Sequence, residues 1–175
     1  MKGIARKRML GMAAVAATLL SACSGNECLD NHSALPLAQF YSSSTGLAVT
    51  LNGLEIYGLG APNDSILYTT QTLSEAYLPF RIWENSTSYV FAYEGLVSDA
   101  IEDGYEIEVP SDTITFRYTP KEWFVSPGCG AMYFYEIKEV VHSSLLIDSV
   151  SCDPVITNEN AANIKVYFKS AITYD

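Results

Sequence analysis

Two histidines, four cysteines and 20 carboxylates are the residues of this 175-residue chain with the means to do chemistry. His32 and His142 are far apart in sequence, and no Gly-x-Ser-x-Gly nucleophile turn exists for either to serve. His142 could act as a base for Cys129 or Cys152, but a lone histidine near a strand end is more often structural. A glycoside hydrolase needs two acids about 5–10 Å apart across a cleft, and acids are so numerous here that spacing selects none. Glu55, Glu106 and Glu108 alternate with apolar residues and read as a solvated face. Asp99, Glu102, Asp103 and Asp112 could gather around calcium but lack the regular spacing of an EF-hand loop. No Cys-x-x-Cys or paired histidine offers a metal site. Gly58-Leu59-Gly60 is not a dinucleotide loop, because Asn63 stands where the third glycine belongs. No catalytic residue, metal or cofactor is therefore expected. Trp83 and Trp123, with Tyr89, Tyr93, Tyr118, Tyr133 and Tyr135, supply material for a sugar-stacking platform, or equally for a core.

The cysteines depend on what precedes them. Lys2, Arg6, Lys7 and Arg8 lead into an apolar run from Met9 to Leu20. That is a secretory signal pattern, too short for a membrane span of about 20 residues. Leu20-Ser21-Ala22-Cys23 resembles the bacterial lipobox, which implies removal of residues 1–22 and lipidation of Cys23. Residues 23–34 are then a lipidated cysteine and short tether, and residues 35–175 a single domain. Three thiols remain, in an oxidising compartment. Cys28 with Cys129 is the preferred disulfide, because Pro127-Gly128-Cys129-Gly130 is a turn that brings backbone close to another segment. Cys28 with Cys152 is the main rival; otherwise Cys152, ending an apolar run, packs as a buried free thiol.

All 20 acidic residues follow Cys23, against six of the ten basic ones, giving the mature chain a formal charge of −14. Such a body does not neutralise phosphates, so no nucleic-acid partner is expected. Anionic lipid heads should repel it, which leaves the lipid as the membrane attachment.

The elements that would position these residues are strands. Leu35 to Tyr41 reads as the first. Asn52-Gly53, between apolar–polar alternations, predicts a hairpin turn. Tyr77 to Trp83 is a strand interrupted by Pro79 and so at an edge. Asp112 to Tyr118 places Ile114, Phe116 and Tyr118 on one face. Met132 to Val141 and Ser144 to Ser151 are longer candidates. Asn163 to Lys169 turns Ile164, Val166 and Phe168 inward, and its outward lysines suit an edge. Many short strands and no sustained helical period predict an all-β antiparallel sandwich, immunoglobulin-like, with a closed β-barrel as the alternative.

Three tripeptides, Asp64-Ser65-Ile66, Asp112-Thr113-Ile114 and Asp148-Ser149-Val150, resemble the O-glycosylation signal of Bacteroidota envelope proteins. Ser65, Thr113 and Ser149 would be the acceptors. The plainer reading is that Asp ends a turn where a strand begins.

The stretches 55–60 (EIYGLG), 64–68 (DSILY), 124–130 (FVSPGCG), 147–150 (IDSV) and 163–168 (NIKVYF) together resemble a family of small Bacteroidota lipoproteins whose domain has no assigned function. The resemblance implies an all-β body, a place in the cell envelope and no reaction. It supports pairing Cys28 with Cys129, while Cys152 departs from its pattern. The function expected is a binding or structural role at the outer membrane, with an outer-membrane protein or a glycan as partner. An envelope hydrolase with paired carboxylates is the rival. Surface export of such lipoproteins goes with acidic residues just after the cysteine. Ser24, Gly25 and Asn26 come first here, so the periplasmic face is expected.

Overall fold

Alternating apolar residues give the described part of this chain ten strands in two facing sheets. The structure is a computed structural model that describes residues 33–60, 66–94, 109–127 and 130–169. The strands are β1 (Leu37–Ser42), β2 (Leu51–Gly58), β3 (Ile66–Leu73), β4 (Glu75–Tyr77) and β5 (Ser86–Tyr93). They continue as β6 (Ser111–Ser126), β7 (Gly130–His142), β8 (Ile147–Cys152), β9 (Val155–Ile156) and β10 (Ala162–Phe168). One sheet has the order β4-β1-β10-β8 and the other β3-β2-β5-β6-β7-β9. The expected all-β sandwich is what forms, with the pair of sheets curled into a half-barrel rather than closed.

The core lies between the sheets. Phe40 of β1 meets Phe91 of β5 edge-on at 6.3 Å, and Phe168 of β10 meets Tyr93 of β5 at 6.2 Å. Ile114, Phe116 and Tyr118 share the buried face of β6, and Ile164, Val166 and Phe168 that of β10, as period-two alternation requires. Burying each such side chain is worth about 1.5–3 kcal/mol.

Several strand expectations need correction. Asn52-Gly53 is no hairpin turn; both residues lie inside β2. Leu51 pairs with Leu73 and Leu54 with Gln71, so two residues of β2 oppose the single Thr72. Gly53 has φ 66°, and a left-handed glycine serves a β-bulge as well as a turn. Of the strand expected over 77–83 only Tyr77 is in a strand, as the last residue of β4, and residues 78–85 form an irregular crossing that contains Pro79. β10 is not an edge: β1 and β8 flank it, with β1 running parallel to it. No tight turn joins the first and last strands, so nothing forces them antiparallel. Of the two lysines, Lys165 covers an outer face, while Lys169 follows the strand and donates to the Ser144 carbonyl at 2.6 Å.

Candidate functional site

The segment from Leu78 to Asn85 carries the chain from one sheet to the other. Pro79 cannot donate to a ladder, so this backbone finds its partners elsewhere. Three consecutive carbonyls accept tyrosine hydroxyls: Pro79 from Tyr89, Phe80 from Tyr135 at 3.2 Å, and Arg81 from Tyr118 at 3.0 Å. The Arg81 N–H donates back to the Tyr118 oxygen at 2.9 Å, and the Thr87 hydroxyl lies 2.6 Å from it. Phe80 stacks on Tyr118 and meets Tyr135 edge-on. Burial raises the phenol pKa of all three tyrosines, Tyr135 to about 12, so they remain donors at neutral pH. The crossing is thus a strap pinned to the sheet by three hydroxyls and one ring.

Beyond the pinned residues the strap turns outward. Trp83 is 84 % exposed and meets Tyr133 of β7 edge-on, with 6.4 Å between ring centroids. Beside these rings lies an open cleft of ≈ 520 Å³, bordered by Glu84, Asn85, Pro120 and Glu122. Its chemistry is two aromatic rings, two carboxylates and an amide around a space the size of a small ligand. Both glutamates are exposed, whereas a general acid needs a carboxyl held in an apolar pocket. The arrangement therefore suits binding better than proton transfer.

The structure divides the aromatic residues singled out in the sequence. Tyr89, Tyr93, Tyr118 and Tyr135 are core. Trp83 and Tyr133 face the cleft. Trp123 pairs across the ribbon with Met132, one step from the Glu122–Tyr133 pair, and so projects from the opposite face. Glu84, Pro120 and Glu122 were not singled out. Trp-Glu-Asn shortly after a proline-broken strand was the available signal: polar turn residues expose the aromatic beside them.

Asp112, one of the four acids weighed for calcium, is buried and committed to the fold. Its Oδ1 accepts Ser143 Oγ at 2.6 Å and the Leu145 N–H at 2.8 Å. Its Oδ2 accepts the N–H groups of Leu146 at 2.7 Å and Ile147 at 2.9 Å, with the Tyr93 hydroxyl at 3.4 Å. Burial opposes its ionisation, but the bonds from Ser143, Leu146, Ile147 and Leu145 outweigh that and lower its pKa. Asp99, Glu102 and Asp103 lie outside the described residues. Among the described residues no group of three or more His, Cys, Asp or Glu could hold a metal ion.

His142 ends β7 opposite Ile114, its Nδ1 2.7 Å from the Ser143 carbonyl, while Cys152 lies in the other sheet opposite Ile164. Cys152 carries a free thiol on β8. Burial, then the Asp153 carboxylate, push its pKa to about 12. Of the expected glycan acceptors, Ser149 is exposed on β8, Thr113 is half-buried within β6, and Ser65 lies outside the described residues. Cys23, Cys28 and Cys129 lie outside them too. The start of the described chain is fastened at the cleft: Ala34 N–H donates to the Tyr133 carbonyl at 2.8 Å, and Tyr133 N–H to Ser33 Oγ at 3.1 Å.

No curated protein and no solved structure matches the chain. A domain family does match, over residues 53–168, from within β2 to the end of β10 and so across the strap and its cleft. The chain belongs to this family of unknown function (DUF6452).

Proposed function

We propose that this is a lipid-anchored envelope protein that binds a carbohydrate in the cleft beside Trp83. The single observation carrying the reading is Trp83 itself: 84 % exposed, yet mounted on a strap whose backbone is pinned by three buried hydroxyls. An exposed indole beside a second ring offers a ligand a broad apolar face. Carried two residues from a pinned backbone, it has less freedom to lose when a ligand binds. Sugar rings offer apolar faces to Trp83 and Tyr133, and their hydroxyls can donate to Glu84, Asn85 and Glu122. The two carboxylates favour neutral over anionic glycans by simple repulsion.

The anchor is Cys23, supported by the lipobox-like residues before it and by the acidity of the chain after it. The Bacteroidota outer membrane, periplasmic face, is the setting that the sequence resemblance favours. A disulfide between Cys28 and Cys129 fits the fastening at Tyr133. Cys28 stands five positions before Ser33 and Cys129 four positions before Tyr133, spans short enough to let the two thiols meet.

The test is a glycan array probed with the full chain in its Cys23→Ala form, with titration of any hit. Neutral glycans should bind, and Trp83→Ala should weaken them by about 30-fold, the cost of truncating a tryptophan hot spot. Tm should hold, since the ring is solvent-exposed. Binding that ignores Trp83→Ala would overturn the cleft.

A further inference from the structure

We infer that the outer end of the β6–β7 ribbon is a membrane foot, seated on the lipid surface that the anchored chain occupies. The inference rests on the proposed Cys23 anchor, and on residues that face away from the Trp83 cleft or lie beyond it.

The ribbon is longer than the sandwich needs. The buried side chains of β6 end at Tyr118, yet its pairing with β7 runs on to Ser126 and Gly130. Near that end Trp123 is 60 % exposed and Phe124 64 %. They are consecutive in a strand, so they project from opposite faces and clothe both sides of the ribbon with aromatic surface. Exposed Lys121 lies two residues before Trp123 on the same face. Tryptophan flanked by lysine is suited to the membrane–water interface, where an amphipathic ring and a snorkelling ammonium are both satisfied.

The position of the chain start identifies lipid as the occupant. Ser33 and Ala34 are bonded to Tyr133, which pairs with Glu122, the residue next to Trp123. Ser33 stands ten positions after Cys23, a span of at most about 35 Å. The lipidated cysteine is thus tethered to the same end of the fold that carries the exposed rings. The acidic body is repelled by anionic head groups, so the surface is one whose head groups are zwitterionic. A lipid alone limits distance; two rings on a stiff ribbon also fix orientation and hold the Trp83 cleft at a set height.

The chain has only two tryptophans, which makes the test direct. Trp83→Phe leaves Trp123 as the sole indole. This full-length lipoprotein, purified from membranes, is reconstituted into phosphatidylcholine vesicles with brominated acyl chains and floated on a density gradient. Trp123 emission should shift to the blue and be quenched about twofold relative to unbrominated vesicles, as for an interfacial indole. Floating protein whose Trp123 emission is unquenched overturns the foot and leaves the anchor standing. Protein that does not float overturns the anchor and the foot with it.

Discussion

The ring of Tyr118 lies flat on Phe80, 4.5 Å between centroids and 8° from parallel, while its hydroxyl donates to the next carbonyl, that of Arg81. One side chain from the centre of a strand thus packs the strap and satisfies its backbone. Tyr118→Phe keeps the stack and removes the hydroxyl. The Arg81 N–H and carbonyl then lose a partner, at a cost of roughly 1–3 kcal/mol. Urea unfolding should show a lower midpoint with an unchanged slope. Affinity at the Trp83 cleft should fall too, because the strap that mounts Trp83 is loosened. Weakened binding with an unchanged midpoint would show that the strap is not held this way.

Asp112 gives the fold a pH dependence whose sign is set by its lowered pKa. The carboxylate is favoured in the folded state, so its contribution is present above the unfolded value near 3.8 and is lost as pH falls through the folded one. Asp112→Asn replaces one acceptor oxygen by an NH2 facing backbone N–H groups. At neutral pH the variant should be less stable by roughly 3 kcal/mol or more, since buried donors go unpaired. The gap to the unmodified protein should narrow as the pH drops below about 4. Equal stability at pH 7, or parallel curves down to acid, would remove Asp112 as the latch between β6 and β8.

The face of β6 was legible because alternation has one physical cause: Ile114, Phe116 and Tyr118 must meet the opposite sheet. Asn52-Gly53 was misread because the same left-handed glycine that closes a hairpin also makes a bulge. What separates them is the register of β3, which no local signal carries. The aromatic residues were the harder case. Tyrosine tolerates burial only if its hydroxyl is satisfied, and the acceptors for Tyr89, Tyr118 and Tyr135 are carbonyls of a distant strap. Composition therefore could not tell the core tyrosines from Tyr133, nor foresee that Glu84 and Glu122 would meet across one cleft.

Cysteine titration should separate the thiols. Cys152, with its pKa at about 12, has almost no thiolate at pH 8 and should ignore Ellman's reagent in the folded protein. With Cys23 lipidated and Cys28 bonded to Cys129, unfolding without reductant should release a single thiol. Three thiols would mean that the disulfide is absent. Cys28→Ala should then lower stability by about 2–5 kcal/mol, because it opens a loop of roughly 100 residues in the unfolded chain. An unchanged Tm would argue against the pairing as firmly as the thiol count.

Cys23→Ala tests the proposed lipid anchor. The chain after residue 22 carries a formal charge of −14, so no basic patch can replace a lost lipid. Two exposed rings on the ribbon can orient a body already at the surface, but stable attachment takes more than one weak signal. The variant should therefore leave the membrane fraction for the soluble one, at low and high salt alike. Its Tm and its glycan binding should match those of the anchored form, since no described strand or cleft residue depends on residue 23. Retention at low salt with release at high salt would point to electrostatic attachment and contradict the charge argument. Retention under both conditions of the chain lacking residues 1–22 would contradict the anchor and point to a membrane partner of the domain itself.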